Sequence, residues 1–435
     1  MERIKETGGV VMARDKEWRK KELSLKEVQE RYPDIPKSMI LKVDLQRRGL
    51  TYSDAAVAKI DPDIHLVNAA GANRFRVSAD YVPDGLLMRD GSYLVISNFD
   101  YEKKEPERDP YLIDVVDDQI VIVDQDEVVD WIQGYWEKPD FYNQKASNGE
   151  PLNTYVACRP QRLEITINSY CHFWDTPGEG CKYCPMSPNY KLSGKTEERY
   201  DLKYYQEAFA EAVKQKGRNT IVILTGGSIL SGEEVLDDEL QVYMDVLKMI
   251  GEFFEPGQRF PSQLIATAFH ERQLERLYEE TGLMIYTPDI EVLNKEKFEW
   301  ICPGKARHVG YEEWKRRIFK AVDIFGKGNV TTGVVLGVEQ ATPNGFPTED
   351  EAFRAITEEA EHIISHGVAL AANIWRATPR SAFQNQNTPS LDYYIRTLRE
   401  FDRLQRKYIS NPYTDDYRRC GAHVGLDLMR TYGEV

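Results

Sequence analysis

The sequence of 435 residues contains no run of about 18 apolar residues, so it predicts no membrane-spanning helix. Its opening stretch, MERIKETGGVVMARDKEW, is charged and lacks the apolar core of a signal peptide, which favours a cytoplasmic protein. Only six cysteines are present, too few for a disulfide scaffold. A basic excess is also absent: the net charge is −15, which argues against nucleic acid as a partner.

Three of the six cysteines lie in one short stretch, SYCHFWDTPGEGCKYCPMSP, residues 169–188, called here the cysteine loop. Nine residues separate Cys171 from Cys181, and two separate Cys181 from Cys184. Three thiolates close together suit a soft metal centre. The spacing favours an iron–sulfur cluster that leaves one iron open, because a cluster with three protein ligands has such an iron.

A structural zinc site is the alternative, and it needs a fourth ligand. His172 is adjacent to Cys171 and is poorly placed to bind the same metal. Cys158 precedes the next strand, and a strand of about seven residues is roughly 23 Å long, so we expect Cys158 at its opposite end. A structural zinc ion or a redox-silent loop stays open at this point.

The first 157 residues read as a charged helical lead and a small β-rich domain. Asp90-Gly91 lies between two apolar runs and predicts a hairpin turn, as does Asp117-Asp118. We expect a short helix over residues 126–136, DEVVDWIQGYW. The charge run of residues 14–36 is most simply a solvated helix face.

From residue 162 onward, six apolar strands alternate with amphipathic helices, which implies parallel strands joined by helical crossovers. We predict an α/β fold: a partial (β/α)6 TIM-like barrel over residues 158–410, with a small N-terminal α+β domain over 1–157 and a C-terminal capping tail over 411–435. A doubly wound open sheet is the competing arrangement. In either fold, chemistry collects at the carboxyl ends of the strands, and the cysteine loop follows the first of them directly.

The second of these strands ends in LTGGS, residues 224–228. Paired glycines, Gly226 and Gly227, form a turn or let a ligand approach the backbone closely. With this motif, the cysteine loop, the aromatic Tyr183 before the last cysteine and six βα units, the sequence resembles the radical S-adenosylmethionine (radical SAM) superfamily over about residues 160–410. It departs from the usual pattern in two ways: three residues normally separate the first two cysteines, whereas nine do here, and Ser228 stands where an acidic residue is common.

The resemblance implies a [4Fe–4S] cluster on Cys171, Cys181 and Cys184, with S-adenosylmethionine bound at its open iron. Residues 289–305 look like the fourth-strand region of the group that includes biotin synthase and the hydrogenase maturases, where an acidic residue contacts the cofactor. The resemblance assigns cofactor binding to Tyr183, Gly226, Gly227, Ser228, Glu291 and Arg316, with Arg317 as the alternative to Arg316. A solvated helix face is the other interpretation of the two arginines.

The implied activity is reductive cleavage of S-adenosylmethionine to a 5′-deoxyadenosyl radical, which abstracts hydrogen from a small organic substrate. Such an anaerobic reaction takes its electron from a donor such as flavodoxin or ferredoxin. The alternatives are a radical enzyme that modifies a protein or peptide, and a non-enzymatic iron–sulfur scaffold. Cys302 is a weak catalytic candidate, with a buried structural thiol as its other interpretation. Cys158, Cys302 and Cys420 are too scattered to favour a second cluster.

Overall fold

The computed structural model describes residues 22–65, 82–83, 85–96, 109–159, 162–192, 200–215, 220–409 and 421–428. The protein has an N-terminal lobe built on a mixed sheet, followed by a region in which parallel strands alternate with helices. The predicted α/β class is therefore confirmed. Cys420 lies outside the described residues.

The N-terminal lobe contains a six-stranded sheet and three helices. The helices are α1 (Leu25–Arg31), α2 (Lys37–Arg48) and α3 (Asp54–Val57); the strands are β1 (Leu50–Tyr52), β2 (Gly85–Met88), β3 (Tyr93–Val95), β4 (Tyr111–Val116), β5 (Gln119–Asp124) and β6 (Glu127–Tyr135). The strands are arranged in the order β1-β4-β5-β6-β2-β3. Both predicted hairpins form, since β2 pairs with β3 and β4 pairs with β5 in antiparallel register.

The turn chemistry explains the two hairpins. Asp117 and Asp118 both adopt positive φ, at 50° and 68°, as a two-residue turn matched to the twist of antiparallel strands requires. Gly91 has a φ of 76°, which costs glycine little.

The helix predicted over residues 126–136 is wrong, because this segment forms the long strand β6. Its apolar residues at 128, 129, 132, 135 and 136 match helical spacing, but strand pairing on both sides decides the outcome. Trp131 pairs with Val121 of β5, and Tyr135 pairs with Leu86 of β2. The segment thus completes the centre of the sheet.

The second region begins with an edge strand and then alternates strand and helix. The strands are β7 (Ala157–Arg159), β8 (Arg162–Thr166), β9 (Ile221–Thr225), β10 (Ser262–Ala266), β11 (Ile285–Pro288), β12 (Thr331–Leu336) and β13 (Ala369–Ile374). The helices are α4 (Met186–Leu192), α5 (Leu202–Ala212), α6 (Asp237–Gly251), α7 (Glu271–Glu280), α8 (Lys295–Ile301), α9 (Pro303–His308), α10 (Tyr311–Phe325), α11 (Glu349–Ser365) and α12 (Leu391–Tyr408).

These strands follow one another in space as they do in sequence. The order β8-β9-β10-β11 is parallel throughout, and β7 is an antiparallel addition beside β8. Strands β12 and β13 form a parallel pair, and bridges at Tyr286–Val330 and Glu291–Val334 join this pair to the β11 side. The carboxyl ends of β8 to β13 therefore share one edge, where the sequence predicts the chemistry.

The two regions pack against each other through α2 and a tail segment, residues 421–428. The Lys42 ammonium forms an ion pair with Asp427 at 2.6 Å, and Lys42 is only 1% exposed. Gln46 donates to the carbonyl oxygens of Gly421 and Ala422 at 3.1 and 3.0 Å. On its other side, Leu426 packs against Ala371 of β13. The tail segment thus joins α2 to the last strand. None of the described helices has the length and apolar character needed to cross a membrane.

Replacing Lys42 by methionine should destabilise the protein by about 3 kcal/mol, because Asp427 would keep a largely buried charge without its cation. The double variant Lys42→Met/Asp427→Leu should recover most of the loss, since both charges are gone. Urea unfolding of the parent, single and double variants measures this. A double variant as unstable as the single one would show that the ion pair is not what couples the tail segment to α2.

Candidate active site at the cysteine loop

A cavity of about 450 Å³ lies at the carboxyl ends of the parallel strands. All three cysteines of the loop, Cys171, Cys181 and Cys184, line it. Among the other predicted site residues, the structure brings to the same cavity Tyr183, Gly226, Gly227, Ser228 and Glu291. The sequence-distant parts of the predicted site therefore meet in one place.

The loop is fixed by backbone hydrogen bonds on both sides of its cysteines. The Cys171 N–H donates to Ser187 Oγ at 3.1 Å, and the His172 N–H donates to the Ser228 carbonyl at 2.9 Å. The Met186 N–H lies 3.5 Å from Cys184 Sγ and donates to it. A donor aimed at sulfur stabilises the thiolate form that a metal requires.

Helices α8 and α9 form a clamp that holds the long segment between Cys171 and Cys181. The Lys182 N–H donates to the Ile301 carbonyl, and the Gly304 N–H donates to the Glu179 carbonyl, both at 2.9 Å. The Glu179 carboxylate binds Arg307 and also lies 3.1 Å from His308 Nε2. Burial by itself would raise the pKa of Glu179. The hydrogen bonds from His308 and Arg307 outweigh this effect and hold that pKa below its usual value.

Aromatic residues of the loop pack under this clamp. A side chain on Gly304 would meet the Glu179 carbonyl at 2.7 Å and the Phe173 ring at 2.8 Å. A Cβ on Gly180 would lie 2.3 Å from the Trp174 ring. Phe173 and Trp174 thus pack within the loop, and both also line the cavity.

Gly226 and Gly227 are needed because the cysteine loop itself comes so close. A Cβ on Gly227 would lie 2.2 Å from the Tyr170 carbonyl oxygen, and one on Gly226 would lie 3.0 Å from the Asn168 backbone. The Gly227 N–H donates to the Asn168 carbonyl at 2.7 Å. The glycines therefore allow the end of β9 to lie close against the end of β8. Their backbone also lines the cavity.

Ser228, which stands where the superfamily often has an acid, belongs to a buried polar network. Its hydroxyl is 2.6 Å from the Thr267 hydroxyl. The Glu239 carboxylate of α6 accepts from the Thr267 and Ile229 N–H groups, each at 2.9 Å. Burial raises the pKa of Glu239 to about 7. Glu239 could not be predicted from the sequence, because nothing in a helix pattern distinguishes it from a surface glutamate.

Glu291 lies beside Lys305 and Asp289, two ionisable residues that were not predicted from the sequence. Lys305 Nζ lies 2.7 Å from the Glu291 carboxylate and 2.8 Å from the Asp289 carbonyl. Burial lowers the pKa of Lys305, but the attraction of Glu291 outweighs it and raises that pKa overall. Burial, helped by the charge of Glu291, raises the pKa of Asp289 to about 7. Glu291 is thus paired with Lys305 where it lines the cavity.

Cys302 lies directly behind the cysteine loop, at the junction of α8 and α9. It hydrogen bonds to Cys181, and this bond lowers the pKa of the Cys181 thiol. Burial raises the pKa of the Cys171 thiol to about 12 and also raises that of Cys184. The contact with Cys302 thus favours the thiolate of Cys181, whereas burial disfavours the thiolates of Cys171 and Cys184.

Among the described residues, Glu234, Asp237 and His270 form the one set of three metal-ligand side chains whose donor atoms all lie within 4.8 Å of one another. The ligand count at the cysteine loop is different: a cluster held by three thiolates leaves one iron open, whereas a structural zinc ion needs a fourth ligand.

The remaining predicted residues lie elsewhere. Arg316 is on the exposed face of α10, where it pairs with Glu313 and Glu271, so the structure does not bring it to the cavity. Arg317 donates to the Ala268 carbonyl and to Glu313. Cys158 is buried in β7 opposite Leu163, near the start of β8, and therefore at the end remote from the cysteine loop.

A three-cysteine loop after the first parallel strand, backed by a Gly-Gly turn after the second, is the site of the radical SAM class. The predicted resemblance to this superfamily is confirmed. The narrower likeness to the biotin synthase and hydrogenase maturase group stays a prediction.

The chain is similar to bacteriochlorophyllide c C-7(1)-hydroxylase of Chlorobaculum limnaeum, with 24% identity over 295 residues that cover 65% of this chain and 70% of the relative. It is also similar to a radical SAM methyltransferase structure from Sphaerobacter thermophilus, with 13% identity, a TM-score of 0.38, and coverage of 92% of this chain and 97% of the other. The cobalamin-dependent S-adenosylmethionine radical enzyme OxsB, with aqua-cobalamin bound, matches at 10% identity and a TM-score of 0.32, covering 55% of this chain and 30% of its own. No protein-family model matches the chain.

Replacing Cys184 by alanine should abolish iron binding, because two thiolates cannot hold a cluster that needs three. Cys158→Ala is the matched control: it removes another buried thiol, away from the loop, and should keep the iron content of the parent. Iron and sulfide analysis of anaerobically reconstituted protein measures both. One equivalent of zinc and no iron in the parent would contradict the cluster assignment.

Glu179→Gln should loosen the cysteine loop, because it removes the charge that Arg307 and His308 bind. Since the pKa of Glu179 is lowered, its contribution is present at neutral pH and is lost only in acid, as the pH falls through that lowered pKa. At pH 7 we therefore expect severalfold faster loss of iron to a chelator. Glu255→Gln, an exposed change after α6, should behave like the parent; equal rates in all three proteins would show that the clamp does not hold the loop.

Proposed function

We propose that the protein binds a [4Fe–4S] cluster on Cys171, Cys181 and Cys184 and cleaves S-adenosylmethionine reductively to a 5′-deoxyadenosyl radical that abstracts hydrogen from a small organic substrate. The observation that carries the proposal is that all three thiols open into one cavity whose walls are contributed by both lobes. In this proposal, β8 to β13 form a partial (β/α)6 barrel around that cavity. The electron comes from a donor such as flavodoxin or ferredoxin.

The closure of the cavity favours a small molecule over a polypeptide. Gln46 of α2, Val95 and Ile96 after β3, and Ala422 of the tail segment all line the cavity. These residues come from the N-terminal lobe and the tail segment, so the cavity has walls on the side away from the strands, where an open groove for a polypeptide would lie. The cavity volume of about 450 Å³ lies in the range of small-molecule sites.

Each side chain of the site has a distinct task in this proposal. Glu291 offers a carboxylate to donor groups of the cofactor, and Lys305 orients it. The Ser228 hydroxyl is positioned by Thr267 and offers a further polar contact beside Gly227. Phe173 and Trp174 exclude water from the cysteines, which matters because a radical must meet only its substrate.

For the type of reaction we propose only a broad class, which the names of the relatives suggest. The hydroxylase of Chlorobaculum limnaeum is named for the modification of a small molecule at one carbon position. We place this enzyme in the same broad class, as one that functionalises a C–H bond of a small molecule by hydroxylase- or methyltransferase-like chemistry.

With dithionite, the reconstituted protein should convert S-adenosylmethionine to 5′-deoxyadenosine, slowly even without substrate. Glu291→Gln should keep the cluster and bind S-adenosylmethionine about 10- to 150-fold more weakly, because a charge-assisted hydrogen bond is worth roughly 1.5–3 kcal/mol. Glu296→Gln, a change at a side chain that is 78% exposed, is the matched control and should bind like the parent.

Chromatography of the nucleoside products and equilibrium binding of S-adenosylmethionine give the two readouts. Methylthioadenosine in place of 5′-deoxyadenosine would contradict hydrogen abstraction, because another sulfonium bond would then be broken. A cluster-loaded protein that forms neither product would favour the iron–sulfur scaffold. Parent-like binding by Glu291→Gln would remove Glu291 from the cofactor site.

A further inference from the structure

We infer that Cys302 is the partner of Cys181 in a reversible disulfide, which forms when a peroxide reaches the cysteine loop before metal binds. The inference does not depend on the proposed reaction, because it concerns the thiols of the metal-free chain. Cys302 has no task in the proposed site, since it is fully buried and is not among the residues that line the cavity. Both residues are free thiols in the structure.

The backbone of the clamp places Cys302 opposite Cys181. The clamp contains two N–H···O=C hydrogen bonds of 2.9 Å, from Lys182 to Ile301 and from Gly304 to Glu179. Residue numbers rise along one segment as they fall along the other, so the two segments run antiparallel at this point. In that register, Cys181 and Cys302 face each other between the two hydrogen bonds.

This position suits a disulfide. Residues opposite each other in antiparallel segments have Cα atoms about 4.5–5.5 Å apart, and disulfides span Cα distances of about 4.4–6.8 Å. The side chains also meet, because the Cys302 S–H donates a hydrogen bond to the Cys181 sulfur. Among the described residues, the sulfurs of Cys171 and Cys184 instead accept from backbone N–H groups. Cys181 is therefore the loop cysteine that is paired with another thiol.

The two sulfurs differ in access to small molecules. Cys181 lines the cavity, so an oxidant as small as hydrogen peroxide meets this residue there. Cys302 has no exposed surface and lies behind Cys181, so it reacts only through it. An accessible cysteine that is oxidised first, with a second thiol beside it, is the arrangement in which a disulfide forms from a sulfenic acid.

The chemistry takes two steps. The Cys181 thiolate attacks one oxygen of hydrogen peroxide, the O–O bond breaks, and a sulfenic acid forms; the released hydroxide takes up the proton of the first thiol as water. The Cys302 thiol then attacks the Cys181 sulfur, loses its proton and releases the second oxygen as water. Two thiols are oxidised to one disulfide, and peroxide is reduced to two water molecules.

The disulfide has two consequences for the loop. It removes one of the three thiolates, so the oxidised chain does not load metal. It also prevents further oxidation of Cys181 to a sulfinic acid, which is irreversible for an ordinary thiol, whereas a dithiol reductant restores both cysteines from the disulfide.

The test is peptide mapping of the full-length, metal-free protein after anaerobic treatment with a single equivalent of hydrogen peroxide and alkylation of the remaining thiols. We expect a peptide pair linked through Cys181 and Cys302. Cys302→Ser should leave the sulfenic acid unresolved, so dimedone, which labels sulfenic acids, should mark Cys181 severalfold more than in the parent. Cys158→Ser, which removes another buried thiol away from the loop, should give the same linked peptides as the parent.

Cobalt(II) binding gives a second readout, because thiolate-bound cobalt has a charge-transfer absorption. After a modest excess of peroxide and then dithiothreitol, the parent should regain its cobalt binding, whereas Cys302→Ser should lose most of it through irreversible oxidation of Cys181. Cobalt binding before peroxide shows that the variant is folded, and the peptide map of the parent does not need the variant. A linkage of Cys181 to Cys184 or Cys171 as the main product, or equal recovery of the two proteins, would overturn the inference.

Discussion

The site depends on one close backbone contact, the approach of the cysteine loop to Gly227. The Tyr170 carbonyl occupies the space in which any other residue at position 227 would carry its Cβ. The hydrogen bonds from Gly227 to Asn168 and from His172 to Ser228 extend this contact in both directions along the chain. Because β8 and β9 are neighbours in register, the contact fixes the first cysteine relative to the sheet, and the later cysteines are positioned from there.

A second support acts on the far end of the loop. The α8–α9 segment holds the nine-residue excursion through two backbone hydrogen bonds and the buried Glu179 carboxylate, and it also provides Cys302 behind Cys181 and Lys305 beside Glu291. One short helical segment after β11 therefore positions both the cysteine loop and Glu291. A movement of this segment would alter both.

Local patterns in the sequence were sufficient for the features whose residues lie close together along the chain. The three cysteines, the Gly-Gly turn, both hairpins and the succession of strands and helices could all be predicted, because each depends on neighbouring residues. The same approach failed for residues 126–136, where apolar spacing fits a helix but strand pairing with β5 and β2 determines the structure.

Other residues of the site could not be predicted, since their roles exist only after distant elements meet. Glu239 acts on Thr267 from a different βα unit, and Lys305 reaches back to Glu291 from the second helix after the strand. Arg316 is the opposite case, a residue that was predicted at the site and lies outside it. Its place in the sequence suggested a cofactor contact, but it lies on the solvent-facing side of α10. Sequence position alone does not specify which face of a helix is inward when charged residues occupy both faces.

The order of the cavity walls along the chain has a consequence for how the protein is made. The cysteine loop ends near residue 188, whereas the tail segment that closes the cavity begins at residue 421. A ribosome synthesises these parts in that order, so a nascent chain presents the cysteines well before the segment that covers them is available. The loop thiols of a nascent chain are therefore open to solvent until the tail segment is made and packs over the cavity.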